Sequence, residues 1–184
     1  MTALFANALS MGLLSWGWFK LSTSIGVMTW VGFMGCTGYY ASGNRFIKGW
    51  RKTVIANMSG VFLAMVAIQV AKILPIPGSI AIMTGVISFF IVAQAKISFL
   101  AFIPGTFIGC ASTFGMNGDW KATIIGLLMG SVLGIASDYG GVLIEKLTHK
   151  KPIKQEEINE IAVEKSDSSK QVGSNRNFEN VESS

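Results

Sequence analysis

Residues 98–121 read SFLAFIPGTFIGCASTFGMNGDWK, and residues 29–43 read TWVGFMGCTGYYASG. Laid over one another at a constant offset of 74, Phe33, Gly35, Cys36 and Tyr40 fall on Phe107, Gly109, Cys110 and Phe114, which gives the pattern F-x-G-C-x-x-x-[YF]. Beyond these motifs Met58, Ser59, Val61 and Phe62 fall on Met129, Gly130, Val132 and Leu133 at an offset of 71, as though the second connection were slightly shorter. A self-match of this kind divides a chain into two related halves; the plainer alternative is a chance match, since Gly, Phe and Cys are common in membrane helices. What the halves are depends on the solvent they fold in, and the composition decides that.

The chain has 184 residues, of which 51% are hydrophobic and 14% charged, and its mean hydropathy is +0.51. That excludes a water-soluble domain of this size. Residues 1–151 hold 11 Lys/Arg and three acids (Asp119, Asp138, Glu145), whereas residues 152–184 hold four Lys/Arg and seven acids. The first part reads as a lipid-embedded body and the second as a hydrophilic tail. Basic residues scattered between apolar runs mark membrane orientation, and no nucleic-acid surface is expected.

A membrane helix needs about 20 apolar residues. Five breaks, at Lys20 to Ser24, Ser42 to Lys52, Leu74 to Ser79, Lys96 and Asn117 to Lys121, leave apolar stretches near 3–19, 25–41, 53–73, 80–95, 97–116 and 122–147. The fold expected is therefore all-α, with about six transmembrane helices. Six crossings place nine Lys/Arg at one set of ends (Arg45, Lys48, Arg51, Lys52, Lys96, Lys146, Lys150, Lys151, Lys154) and Lys20, Lys72 and Lys121 at the other. The richer side faces the cytoplasm, so both termini are expected inside. Trp16, Trp18, Trp50 and Trp120 fall near span ends, where an indole suits the headgroup layer. No basic region precedes residues 3–19, which read as a retained helix and not as a signal peptide.

Three spans per half is an odd number, so the second half enters the membrane inverted relative to the first, in the 3+3 plan of many channels and transporters. Cys36 and Cys110 become symmetry mates, and Gly32, Gly35, Gly38, Gly105 and Gly109 permit close helix approach. Simple packing is the plainer reading of those glycines. Pro104-Gly105 lies in the middle of the fifth apolar stretch, where a proline removes an amide donor, so a kink or break is expected there with Thr106, Ser112 or Thr113 serving the freed carbonyls.

Charges within the spans are few. Asp138 is expected near the inner end of the sixth span as a hydrated carboxylate near Lys146, with an ion or proton site as the alternative. Gln94 and Lys96 read as inner-end residues, and Asp119 as the cap of the sixth helix. His149 reads as a solvated juxtamembrane residue. Cys36 and Cys110 suit neither a disulfide framework nor a zinc site. The tail carries Ile153, Ile158, Ile161 and Val163, enough for one short amphipathic helix, and beyond Val163 disorder is expected.

The segments TWVGFMGCTGYYASG (29–43) and SFLAFIPGTFIGCASTFGMNGDWK (98–121) resemble the signature segments of the YcdZ-like family of small bacterial inner-membrane proteins with an uncharacterised domain. The resemblance covers roughly residues 5 to 145, with PGTFIGC and NGDWK its specific parts. It implies a bacterial inner-membrane location and this domain type, leaves activity open, and carries over no functional residue. The tail after Lys151 is longer than the family core.

Two functions follow from these readings. One is a small-solute channel or facilitator whose path lies between the halves, lined by Gly35, Cys36 and Thr37 from one and Gly109, Cys110, Ser112 and Thr113 from the other, beside the Pro104-Gly105 break. The other is an accessory or scaffold membrane protein without transport activity. An enzyme would need a nucleophile with its base, a metal set or a phosphate loop, and none is visible in the sequence. No cofactor is expected, and the expected partners are the lipid bilayer and further copies of the same chain.

Overall fold

The computed structural model describes residues 3–74 and 76–149, and the tail readings lie outside them. The described residues form six α-helices and no strand: α1 (Ala3–Ile25), α2 (Thr29–Ala41), α3 (Phe46–Ile73), α4 (Ser79–Ala93), α5 (Ile103–Gly115) and α6 (Trp120–His149). Two short 3-10 turns, Gln94–Lys96 and Ser98–Leu100, join α4 to α5. Three helical segments, Phe46–Ile73, Ser79–Lys96 and Trp120–Thr148, are long and apolar enough to cross a membrane. Large apolar side chains such as Trp16 and Phe89 are about 70% exposed on the outside, as lipid contact requires.

The second and fifth stretches are shorter helices than the sequence suggests. Both α2 and α5 have 13 residues, or roughly 20 Å at the standard rise, against a hydrocarbon layer about 30 Å thick. Pro104 does not kink a helix. It sits in the first turn of α5, where its missing N–H costs nothing because first-turn amides have no intrahelical acceptor. The break falls instead over residues 97–102, and its groups are tied locally: Ile97 N–H donates to the Gln94 carbonyl, Leu100 N–H to that of Ile97, and Ile103 N–H to that of Ala101.

Glycine turns follow α1, α2, α3 and α5. Gly26, Gly43, Gly78 and Gly118 all have φ between +67° and +83°, the left-handed conformation a glycine adopts without penalty. As the sequence suggests, Asp119 caps α6, its Oδ1 accepting from Ala122 N–H at 3.1 Å.

Contacts fix the relative directions of the helices. Arg45 meets Asp138, Lys52 lies over the Phe102 ring and Ser137 donates to Asn7. These put the α2–α3 turn, the α4–α5 connection and the start of α1 at one end, with the later part of α6. At the other end Trp30 packs against Gly115, Ile68 against Gly118 and Val27 against Gly126. Consecutive helices thus alternate in direction. Arg45, Lys48, Arg51, Lys52, Lys96 and Lys146 lie toward the first end, and Lys20, Lys72 and Lys121 toward the second.

At the centre α2 runs parallel to α6, and α3 parallel to α5, in two tight crossings made possible by glycine. A Cβ on Gly35 would overlap the carbonyl of Leu127, and one on Gly130 that of Gly32. In the other crossing a Cβ on Gly109 would overlap the carbonyl of Asn57, and one on Gly60 that of Thr106. Such contacts bring backbones together in lipid, where apolar burial alone gives helices no reason to associate. The turns at 42–45 and 116–119 are equally long, so the second connection is not the shorter one. The close contacts pair α3 with α6 at an offset of 70, Asn57 with Leu127 and Gly60 with Gly130, one less than the 71 of the sequence match, and the offset falls below 74 because α3 begins about one turn earlier relative to its crossing.

Candidate functional site

Two polar groupings stand out among the described residues. The first lies at the end rich in lysine and arginine. Asp138 on α6 is buried, 2% exposed, and its Oδ1 accepts from Arg45 Nη2 at 2.9 Å and Nε at 3.1 Å. Its Oδ2 accepts from the Tyr39 hydroxyl and, at 3.4 Å, from Phe46 N–H. The same Phe46 N–H donates to the Tyr39 hydroxyl oxygen at 2.7 Å. Phe46 has φ +55°, an arrangement an L-residue adopts at a cost of about 1–2 kcal/mol, and these bonds hold it there. The hydrogen bonds to Asp138 also push the Arg45 guanidinium above its ordinary pKa. Beside them Tyr40 donates to Ser137 at 2.8 Å, and Ser137 to Asn7 at 3.2 Å. Asp138 is therefore an ion-paired buried carboxylate and not a hydrated one near Lys146: the α2–α3 turn carries Arg45 over it, and both carboxylate oxygens are occupied.

The second grouping lies inside the crossing of α2, α3 and α5. Thr53, fully buried, donates its hydroxyl to the Gly49 and Gly38 carbonyls. One turn along α3, Asn57 is 1% exposed, and neither Oδ1 nor Nδ2 has a hydrogen-bond partner. Ser112 on α5, fully buried, likewise leaves its Oγ without one. In an interior of low polarity each such group costs about 1–3 kcal/mol. Toward the opposite end the same interior turns apolar, where Val31, Val61 and Leu127 pack with Met34, Met65 and Met116.

The residues suggested by the sequence as path-lining separate into several roles. Gly35 and Gly109 make the backbone crossings, and Gly105 packs against Phe102 and Ala56. Cys36 is buried against Trp18 and Leu133, with Met11 beside it. Cys110 is buried in a different cluster with Ala64, Ala67, Ile87 and Ile91. The two cysteines face away from each other, toward α1 and α4 respectively. Thr37 is exposed on the outside of α2, bonded to the Phe33 carbonyl, and Thr113 is bonded to the Gly109 carbonyl. Pro104 begins α5. Of the set, Ser112 alone combines complete burial with an unpartnered polar atom.

Sequence reasoning missed Asn57, although a carboxamide in an otherwise apolar stretch is itself a signal. Gln94, which the sequence places at an inner end, bridges Ser59 (2.7 Å) and Thr106 (3.0 Å) there, tying α3 to α5. The apolar grooves on the surface, about 320 Å³ each, include one lined by Met58, Phe62 and Trp120 and another by Trp18, Leu128 and Leu133. Neither contains Asn57 or Ser112.

A family model described as a protein of unknown function, DUF1097, matches residues 8–142. The chain belongs to this family. The inner membrane protein YcdZ of Escherichia coli K12 is 36% identical over 163 residues, covering 86% of this chain and 98% of the relative. The protein of the same name from Salmonella typhimurium LT2 is 35% identical over 145 residues, covering 77% and 89%. The uncharacterized protein YahC of Escherichia coli K12 is 29% identical over 163 residues, covering 82% and 98%. No solved structure matches. Helices of membrane length and apolarity mark the chain as a membrane protein, and two of these relatives are named as inner membrane proteins.

Proposed function

We propose that this protein is a facilitator for a small neutral solute, formed by two three-helix halves inserted in opposite orientations, with six crossings and both termini in the cytoplasm. The observation that carries the transport reading is that Asn57 on α3 and Ser112 on α5, both buried, leave polar atoms unpartnered. A lipid-embedded bundle whose only task was to pack would satisfy or omit such groups. A path that hands a solute from one polar atom to the next needs them.

The inverted architecture is supported by how the close contacts repeat. Gly35 on the Leu127 carbonyl corresponds to Gly109 on the Asn57 carbonyl, and Gly32 with Gly130 corresponds to Thr106 with Gly60. The short helices match at a spacing of 74 and the long ones at 70. Thr53 and Thr123, also 70 apart, both bond the carbonyl four residues before them. The alternating helix directions and the charge difference between the two ends support six crossings with the Arg45 end inside.

In this conformation the path is closed twice. The Arg45–Asp138–Tyr39 network closes the end assigned to the cytoplasm, and the methionine-lined cluster around Leu127 closes the other, where dewetting is the physical barrier. No deeply placed unpaired charge lies among the described residues, which favours a neutral solute over an ion-coupled one. The test is osmotic shrinkage of proteoliposomes containing the purified full-length protein, screened against water, glycerol, urea and small amides. The reading expects one solute to cross faster than in protein-free vesicles. Equal rates for every solute would overturn it and favour an accessory protein that packs in a larger assembly.

A further inference from the structure

The two halves differ where their crossings touch the interior. At the backbone contact with Gly35 the long helix carries Leu127, and at the corresponding contact with Gly109 it carries Asn57. Leucine and asparagine occupy matching positions, so an apolar side chain satisfies the packing demands of this crossing. The carboxamide of Asn57 adds nothing to that packing, and with both polar atoms unpartnered it lowers stability. The second unpartnered group repeats the asymmetry, since Ser112 corresponds to Gly38, 74 residues before it. Gly38 itself borders Asn57: a Cβ there would lie 3.5 Å from Asn57 Oδ1 and 3.6 Å from Ile108 Cδ1. The two buried side chains left with unpartnered polar atoms at these crossings thus lie on α3 and α5.

Resting on the facilitator reading above, we infer that Asn57 is the recognition residue of the path, and that it recognises a small neutral molecule presenting a hydrogen-bond donor and an acceptor side by side, as urea and primary carboxamides do. A carboxamide offers both roles in one plane, Nδ2 donating and Oδ1 accepting, and pairs with a second amide through two parallel hydrogen bonds. A hydroxyl such as Ser112 Oγ can join as either donor or acceptor. An ion gains nothing from this set, because the buried carboxylate at the inner end, Asp138, is already paired with Arg45. A site built to bond such a solute rejects analogues lacking one of the two groups, since the amide is then left half-satisfied.

The experiment uses the full-length protein in proteoliposomes, comparing wild type, Asn57→Leu and Asn57→Asp for urea, acetamide and glycerol flux, together with thermal unfolding of each. Asn57→Leu reproduces the residue of the matching position, so its melting temperature should equal or exceed that of wild type. Its urea and acetamide flux should fall by about tenfold or more, the rate equivalent of roughly one lost hydrogen bond. Asn57→Asp keeps the shape and loses the donor, and its flux should fall as well. If wild type carries urea or acetamide and Asn57→Leu carries them at the same rate, the inference is overturned while the facilitator reading stands. If wild type carries no solute, the facilitator reading fails and the inference fails with it. A melting temperature for Asn57→Leu well below wild type would show that the amide is structurally engaged, and would also overturn the inference.

Discussion

Alanine substitution at the two crossings gives the sharpest structural prediction. An added Cβ at Gly35 would stand 2.9 Å from the Leu127 carbonyl carbon, and one at Gly109 the same 2.9 Å from that of Asn57. Carbon atoms settle at about 3.5–4.0 Å, and because the obstacle is backbone, no rotamer change relieves the overlap. The carbonyl oxygens come closer still, 2.3 Å at Gly35 and 2.1 Å at Gly109, so each helix pair has to separate by about 1 Å, at an overpacking cost of about 1–3 kcal/mol. Alanine returns up to about 1 kcal/mol in helix propensity, which leaves a net loss near 1–2 kcal/mol for either variant. Gly12, Gly17 and Gly85 meet nothing within 4 Å, so alanine there collects only the propensity gain. For a chain of this size 1 kcal/mol corresponds to about 2–4 °C. Melting curves of the purified protein in one detergent should therefore show Gly35→Ala and Gly109→Ala lowered by similar amounts, and Gly17→Ala unchanged or raised. The reasoning is refuted if both crossing variants melt with wild type, or if one collapses while its counterpart is tolerated.

Three further outcomes follow from named contacts. Arg45→Met removes two charge-assisted hydrogen bonds from a buried carboxylate that keeps its Tyr39 and Phe46 donors, so a loss of about 1–3 kcal/mol is expected, and Asp138→Asn in the same background should recover part of it in the same melting assay. Pro104→Ala should change stability by less than about 1 kcal/mol, because a first-turn proline gives up no helical hydrogen bond. Asp119→Ala should cost about 1 kcal/mol through loss of the α6 cap, measured against Asp119→Asn, which retains an acceptor.

Much of the scaffold was legible because it rests on local chemistry. NGDWK announces a turn and an N-cap, and Asp119 fills that role. The F-x-G-C motifs mark the two short helices, whose bounds, 29–41 and 103–115, differ by the same 74 residues as the motif itself. Pro104 was ambiguous because proline both kinks a helix and begins one, and the neighbouring residues alone do not decide between the two. The Arg45–Asp138 pair was hidden for a different reason. Inner-end charges are easy to assign to one face, but which turn covers which helix depends on the parallel packing of α2 on α6, and no local pattern encodes that. Asn57 was visible as a polar residue in an apolar stretch, whereas its lack of partners depends on Gly109 and Gly38 standing where they do. Cys36 and Cys110 drew attention as symmetry mates, and they are buried in separate clusters because a motif repeated on two helices marks corresponding positions without bringing them together.

In the facilitator reading the interior beside Asn57 and Ser112 admits small polar molecules, while the two native cysteines face dry packing. The most direct measurement of this is thiol labelling of the folded protein in membranes with a small water-soluble methanethiosulfonate, comparing wild type with Ser112→Cys. The account predicts that Cys36 and Cys110 stay unmodified until the protein is denatured, and that Cys introduced at position 112 is modified in the native state and protected by excess urea or acetamide. Labelling of the native cysteines with position 112 inert would contradict it, since the wet surface would then lie toward α1 and α4 and the central crossing would be packing alone.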